Sequence, residues 1–250
     1  MSGCHEEYVR ISDDKKTACL MVHGITGSPR YFDNIIPHLP KEWSIYNILL
    51  DGHGKKVCDF SKTSMKKWKA QVDMMLEMLS DEYEEIVIFA HSMGTLLCMD
   101  TGERYMDRIK YMVLFAVPLC PRLKFKAMYT SLKVILKMVD EENEFETNAG
   151  EQYSIEPDWR LWRYVGFAPR YIELLALCRS VRAKVCDVMI PSSVFMCGKD
   201  EMVGRKSWDY LVENPCFAVY CLDKSSHIQF DEDDFNYALA EIKNRITKKS

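Results

Sequence analysis

A serine that directly follows an apolar run is placed like a catalytic nucleophile. Residues 86–90 are typical of a buried strand, and they lead into a His-Ser-Met-Gly turn centred on Ser92. A strand, a serine and then a helix form the nucleophile elbow of the Gly-x-Ser-x-Gly pattern, here with Ala90 in place of the first glycine. Small residues are needed there because the serine lies on a sharp, strained turn. We therefore predict that Ser92 is the nucleophile.

A general base and an acid that orients it follow later in the chain. A serine hydroxyl is a weak nucleophile at neutral pH, and it needs a base that is itself held by a carboxylate. In elbow-type hydrolases the order along the chain is Ser, then Asp or Glu, then His. Asp200 follows one apolar run and His227 follows the last one, so we predict them as acid and base. Glu201 and Asp223 remain alternatives for the acid.

The first apolar run ends in a loop that contains glycine. Gly24 lets the backbone approach a substrate carbonyl, and the N–H groups of Ile25 and Met93 are the predicted oxyanion donors. In a tight turn, the side chain of His91 would point away from Ser92. The residues of these two turns that we expect at the substrate are His23, Gly24 and His91.

Six short apolar runs alternate with longer helical patterns. Runs this rich in Val, Ile, Leu and Phe are typical of parallel strands covered on both faces. The runs are 18–22, 45–50, 86–90, 111–117, 193–197 and 217–222, and the clearest helices are 65–79, 96–106, 169–182 and 235–246. The pattern predicts an α/β fold with a mostly parallel sheet between layers of helices.

One interval is too long for a simple crossover connection. Residues 118–191 separate two predicted strands, so we expect an inserted helical cap there, with a core made of 1–117 and 192–250. Aromatic residues bunch in this insertion. Trp159 and Trp162 are predicted to line an apolar substrate pocket, with packing between the insertion and the core as the alternative.

The first part of the insertion combines an amphipathic pattern with an acidic stretch. Met128, Leu132, Ile135 and Val139 share one stripe at helical spacing, which predicts a helix that packs through this face. Residues 140–152 are acidic and nearly free of bulky apolar side chains. We expect a solvated loop there.

Composition excludes several classes of function. The 250 residues include 33 basic and 37 acidic side chains, and a net charge of −4 gives no electrostatic reason to expect nucleic acid binding. The apolar runs are shorter than the ~18 residues that a membrane helix needs, and no export signal is apparent, so we expect a cytoplasmic protein without stable membrane insertion. Ten cysteines lack metal-like spacing, so we expect no metal and reduced thiols. The oligomeric state stays open.

Five motifs occur in one order along the chain. They are His23-Gly24 with Gly27-Ser28-Pro29, Gly52-His53-Gly54, His91-Ser92-Met93-Gly94, Gly198-Lys199-Asp200 and Ser226-His227. Together they resemble the α/β-hydrolase superfamily, and within it the carboxylesterase, monoacylglycerol lipase and lysophospholipase-like group. The chain departs from that group at Ala90 and at the two lysines that follow Gly54.

The resemblance implies an α/β-hydrolase fold and an ester-cleaving activity. A Ser-Asp-His triad would form an acyl-enzyme without a cofactor, under a cap between the strand after the nucleophile helix and the strand of the acid. The expected substrate is a small-molecule ester with a short- to medium-chain acyl group, or one like a monoacylglycerol. The alternatives are a small-molecule receptor on the same fold with little turnover, and an acyltransferase or thioesterase.

Overall fold

The structure, a computed structural model, describes residues 5–122, 125–136, 138–140 and 142–246. In these parts of the chain, seven strands form one sheet in the order β1-β3-β2-β4-β5-β6-β7. The strands are β1 (Tyr8–Arg10), β2 (Thr17–Val22), β3 (Ser44–Ile48), β4 (Glu85–His91), β5 (Ile109–Phe115), β6 (Ser192–Cys197) and β7 (Phe217–Leu222). All neighbours pair in parallel except β1 and β3, which are antiparallel.

Helices cover both faces of this sheet. They are α1 (Val57–Lys62), α2 (Met65–Glu82), α3 (Met93–Gly102), α4 (Phe125–Ile135), α5 (Glu144–Gln152), α6 (Ala168–Lys184), α7 (Lys206–Val212) and α8 (Glu232–Ile246). Each face of the sheet carries its own apolar cluster. Every residue of β2, β3 and β6 is buried, as expected for strands covered on both sides. None of the described helices is both long and apolar enough to cross a membrane.

The mostly parallel sheet between helices confirms the predicted fold class, and each predicted strand overlaps an observed one. The strand β1 was not predicted. It has only three residues and lies at the edge of the sheet, where two of them are exposed, so it lacks the continuous apolar run that marks the inner strands.

The prediction of a loop at 140–152 was wrong, because α5 occupies most of that stretch. The side chain of Asn143 caps this helix by accepting a hydrogen bond from the N–H of Glu146. The Glu146 carboxylate accepts hydrogen bonds from Lys133 Nζ on α4, at 2.7 and 2.9 Å. This pairing with a neighbouring helix gives an acidic segment a folded partner, and the local sequence pattern does not reveal it.

The last helix of the predicted insertion is part of the core. Leu174, Leu177, Cys178 and Val181 on α6 are buried in the same apolar cluster as the sheet, and α6 packs against α3. Residues of α4 and α5 lie at the edge of the sheet that carries the candidate site.

Candidate active site

Loops at the carboxyl ends of four parallel strands meet at one edge of the sheet. In α/β sheets, ligands bind at this edge. Residues 23–28 follow β2, Ser92 follows β4, Asp200 lies just after β6, and His227 lies after β7. The topology therefore brings Ser92 and His227 together, although they are 135 residues apart in the sequence.

Ser92 lies on a strained turn between β4 and α3. Its backbone angles are φ 51° and ψ −121°, in a region that residues with a side chain rarely adopt. Two residues later, a side chain on Gly94 would collide with the carbonyl oxygen of Val22, so the start of α3 packs directly on the end of β2. Ala90 is fully buried in β4, which shows that the turn tolerates one methyl group in place of the usual glycine.

A chain of hydrogen bonds links the serine, the histidine and the aspartate. His227 Nε2 is 3.0 Å from Ser92 Oγ, and His227 Nδ1 is 2.9 Å from Asp200 Oδ2. All three side chains are buried. The other oxygen of the carboxylate, Asp200 Oδ1, accepts the backbone N–H groups of Met202 at 2.7 Å and Val203 at 2.8 Å. The carboxylate is thus fixed on both sides.

The environment shifts the pKa values of the acid and the base in opposite directions. Burial alone would raise the pKa of Asp200, but the imidazole of His227 and the two N–H donors outweigh it and lower that pKa. Burial alone would lower the pKa of His227, but the charge and hydrogen bond of Asp200 outweigh it and raise that pKa. The pair therefore favours an ionised aspartate beside a histidine that readily accepts a proton.

The alternative acids do not reach the histidine ring. Glu201 Oε2 accepts the backbone N–H of His227 at 3.4 Å, not a ring nitrogen. Asp223 is exposed, and its Oδ1 accepts a hydrogen bond from the thiol of Cys221. Asp200 is thus the carboxylate that the structure brings to the ring.

The loop after β2 lies against the serine. A Cβ on Gly24 would be only 2.9 Å from Ser92 Cβ, so a glycine is needed for this approach. The N–H of Met93 is at the first position of α3 and has no acceptor within the helix. In the described part of the chain, the N–H of Ile25 donates to no backbone acceptor. Neither N–H group therefore has a backbone acceptor in the part of the chain that the structure describes.

His23 stabilises this loop through two hydrogen bonds of its ring. Its Nδ1 donates a hydrogen bond to the Gly24 carbonyl oxygen at 2.8 Å, and its Nε2 accepts the N–H of Leu50 at 3.1 Å. Burial lowers the pKa of His23 to about 4, so the ring is neutral, as the accepting nitrogen requires. The side chain connects the ends of β2 and β3 and holds the carbonyl of Gly24 in place.

His91 supports the loop that carries the base. Its ring stacks on Tyr31 at a centroid distance of 3.7 Å, and its Nε2 donates to the backbone oxygen of His227 at 2.9 Å. Burial holds its pKa well below the ordinary value, so the ring stays neutral. Its hydrogen bond goes to the His227 loop, not to Ser92.

A small cavity of about 110 Å³ opens over Ser92 and His227. Ligand pockets typically have volumes of about 300–1,000 Å³, so this one fits a small group. The apolar side chains around it are Ile25, Val134, Ala149, Met202 and Ile228. Side chains with a hydroxyl, amide or carboxyl group also line it: Thr26, Thr130, Gln152, Tyr153, Tyr171 and Glu201. The wall therefore combines apolar side chains with several that can form hydrogen bonds.

The structure brings some of the residues predicted at the substrate to this cavity, and not others. His23, Gly24 and His91 line it. Trp159 and Trp162 do not: they are 75% and 64% exposed and pack edge to face on each other, with ring centroids 5.9 Å apart. Trp159 lies just before a short 3-10 helix, Leu161–Phe167, and Trp162 lies within it. This helix packs against α1, and neither tryptophan lines the cavity.

Several lining residues were not predicted from the sequence. Thr130 and Gln152 come from α4 and α5, and Tyr171 comes from α6. Each stands in an ordinary helical pattern, so no sequence signal separates them from surface residues.

Within the described ranges, no group of three or more His, Cys, Asp or Glu side chains is arranged to hold a metal ion.

Comparisons with known proteins agree with this fold. The sequence pattern of the serine aminopeptidase S33 family, which has the α/β-hydrolase fold, matches residues 13–215. No curated protein sequence matches the chain.

Solved structures with similar folds include three hydrolases. The first belongs to a study of LipS and LipT, two metagenome-derived lipolytic enzymes, with 15% identity, a TM-score of 0.73 and 98% of each chain covered. The second belongs to a study of carboxylesterases from the Thaumarchaeon Nitrososphaera gargenis, with 13% identity, a TM-score of 0.63 and coverage of 97% of this chain and 96% of the other. The third is a thioesterase domain from the curacin biosynthetic pathway, with 14% identity, a TM-score of 0.62 and coverage of 97% and 99%.

Proposed function

Because the chain belongs to the serine aminopeptidase S33 family of α/β-hydrolases, we propose that it cleaves carboxylic esters through an acyl-enzyme on Ser92. The observation that carries the proposal is the continuous hydrogen-bond chain from Ser92 Oγ through His227 to Asp200. That the protein is a hydrolase follows from its family. The ester substrate and the residue roles are our proposal.

The geometry supports a two-step reaction. Ser92 Oγ attacks the carbonyl carbon while His227 Nε2 takes the hydroxyl proton, and Asp200 stabilises the imidazolium. The N–H groups of Ile25 and Met93 donate hydrogen bonds to the oxyanion that develops. His227 then protonates the leaving alcohol, and the acyl group stays on Ser92. In the second step, His227 deprotonates a water molecule that attacks the acyl-enzyme and releases the carboxylic acid.

The size of the cavity favours short acyl groups. Overfilling a packed site costs about 1–3 kcal/mol, which corresponds to about 5- to 150-fold in an equilibrium constant. We therefore expect kcat/KM for p-nitrophenyl esters to be highest for acetyl or butyryl and to fall by about tenfold or more for octanoyl and longer chains. The measurement is initial-rate hydrolysis across the series at neutral pH, with amino acid p-nitroanilides in parallel. Failure to turn over any ester, or turnover of the anilides alone, would contradict the proposal.

Activity should depend on pH through the base. Only neutral His227 can accept the serine proton, and its pKa is raised because the Asp200 charge outweighs the effect of burial. We therefore expect kcat/KM for p-nitrophenyl acetate to fall on the acid side, with a midpoint above the ordinary histidine value of about 6.5. A rate profile from pH 5 to pH 9 measures this midpoint. Full activity at pH 5 would show that a different group is the base.

A further inference from the structure

A second carboxyl group lies in the wall of the cavity beside the base. Glu201 follows Asp200 in the loop after β6, lines the cavity and is only 5% exposed. Its Oε2 accepts the backbone N–H of His227 at 3.4 Å, a long hydrogen bond. The carboxylate also interacts with its own backbone N–H, so in the described part of the chain its donors are backbone groups. The mechanism above makes no use of this group.

The charge of Glu201 has no cationic partner in the cavity. Among the described residues that line it, none is a lysine or an arginine. Two of its histidines, His23 and His91, are neutral because burial lowers their pKa values. The third, His227, is paired with Asp200. At a pH where the glutamate is ionised, no lysine or arginine among the described lining residues therefore offsets its negative charge.

We propose that Glu201 is a specificity-determining residue, which excludes esters that carry a negative charge near the scissile bond and favours those whose alcohol half carries a positive charge. The inference rests on the proposed esterase function. Glu201 and His227 line the same cavity, and His227 Nε2 delivers a proton to the leaving oxygen, so the proposal places Glu201 beside the alcohol half. A buried carboxylate that has no cationic side chain beside it is stabilised by a cationic group of a bound substrate, and it repels an anionic one.

The test compares three esters that differ in charge but hardly in size. Acetate esters of a cationic choline-type alcohol, of its neutral tert-butyl analogue and of an anionic carboxylate analogue are hydrolysed at pH 8. The alkaline pH is chosen because burial raises the pKa of Glu201. The variant is Glu201→Gln, whose amide oxygen can still accept the N–H of His227. The matched control is Glu213→Gln, which removes one exposed carboxylate next to the end of α7.

We expect the wild type to prefer the cationic ester over the neutral one and the neutral over the anionic one. In Glu201→Gln, the anionic-to-neutral ratio of kcat/KM should rise by about tenfold or more, and the cationic-to-neutral ratio of kcat/KM should fall. Glu213→Gln should keep the wild-type ratios. If Glu201 had only a structural role, Glu201→Gln would change kcat/KM for all three esters by the same factor. Unchanged ratios of kcat/KM would therefore overturn the inference.

The pH profile gives a second readout. The titratable groups around His227 are Asp200 and Glu201 in the loop after β6 and His91 at the end of β4. The charge of Glu201 helps to raise the pKa of His227, so Glu201→Gln should move the acid midpoint of kcat/KM to lower pH. An unchanged midpoint counts against the inference.

If the wild type hydrolyses none of the three esters and none of the p-nitrophenyl series, the proposed function itself fails. If it hydrolyses them but Glu201→Gln leaves the ratios of kcat/KM among the three esters unchanged, only the role of Glu201 is overturned.

Discussion

Replacing Ser92 with alanine is expected to lower kcat for p-nitrophenyl acetate by about 10⁶-fold, as in well-studied serine triads. Ser92 Oγ is the hydroxyl that the structure holds 3.0 Å from the base, so its loss removes the nucleophile and leaves His227 and the oxyanion donors without an acyl acceptor. The measurement is turnover by both proteins at matched concentration, together with their melting temperatures.

The fold should survive this change. Ser92 has a φ of 51°, and Ala116 has a φ of 52°. An alanine in this chain thus already adopts a positive φ of this size. Ser92→Gly is a second variant, because glycine adopts this conformation without strain. We expect both variants to be inactive and Ser92→Gly to be the more stable by about 1 kcal/mol. Ser80→Ala, on α2, is the control and should keep full activity. Substantial turnover by either Ser92 variant would disprove the assignment.

The sequence predicted those parts of the site that follow directly from strand ends. The elbow at Ser92 and the loop at Gly24 come immediately after apolar runs, so a linear pattern locates them. The distant partners Asp200 and His227 could be predicted because parallel strands present their carboxyl ends at one edge. The choice among the three carboxylates was open in the sequence, because it depends on which oxygen reaches the ring.

The walls of the cavity could not be predicted, because they depend on how helices are rotated against the sheet. The stripe predicted on α4 included Leu132, which is 45% exposed, while Val134 and Thr130 are buried and line the cavity. At the positions of α4 whose burial is described, the buried side chains therefore lie off the predicted stripe. The tryptophans show the converse: their type suggests a binding pocket, but tertiary packing leaves them at the surface. Tertiary contacts, not local pattern, decide both cases.

Replacing Asp200 with asparagine is expected to lower kcat by about 10⁴-fold, as reported for the equivalent change in a serine protease triad. The structure determines how the new amide would be oriented. The oxygen at the Oδ1 position accepts the N–H groups of Met202 and Val203, so the amide carbonyl must stay there. The amide NH₂ then takes the Oδ2 position and donates to His227 Nδ1. That bond puts the remaining ring proton on Nε2, where it blocks acceptance of the proton from Ser92.

The other carboxylate in the histidine loop provides the control for this variant. Asp223→Asn removes an exposed charge that contacts Cys221 and not the histidine ring, so its kcat should stay within about twofold of wild type. The ¹⁵N chemical shifts of the His227 ring report the tautomer independently of activity, and in Asp200→Asn they should show the proton on Nε2. If Asp200→Asn retained a tenth of the wild-type rate, or Asp223→Asn lost most of it, the orienting acid would have to be reassigned. Because the three carboxylates lie within 24 positions of one another yet contact different atoms, this pair of variants tests the geometry itself and not merely the presence of negative charge.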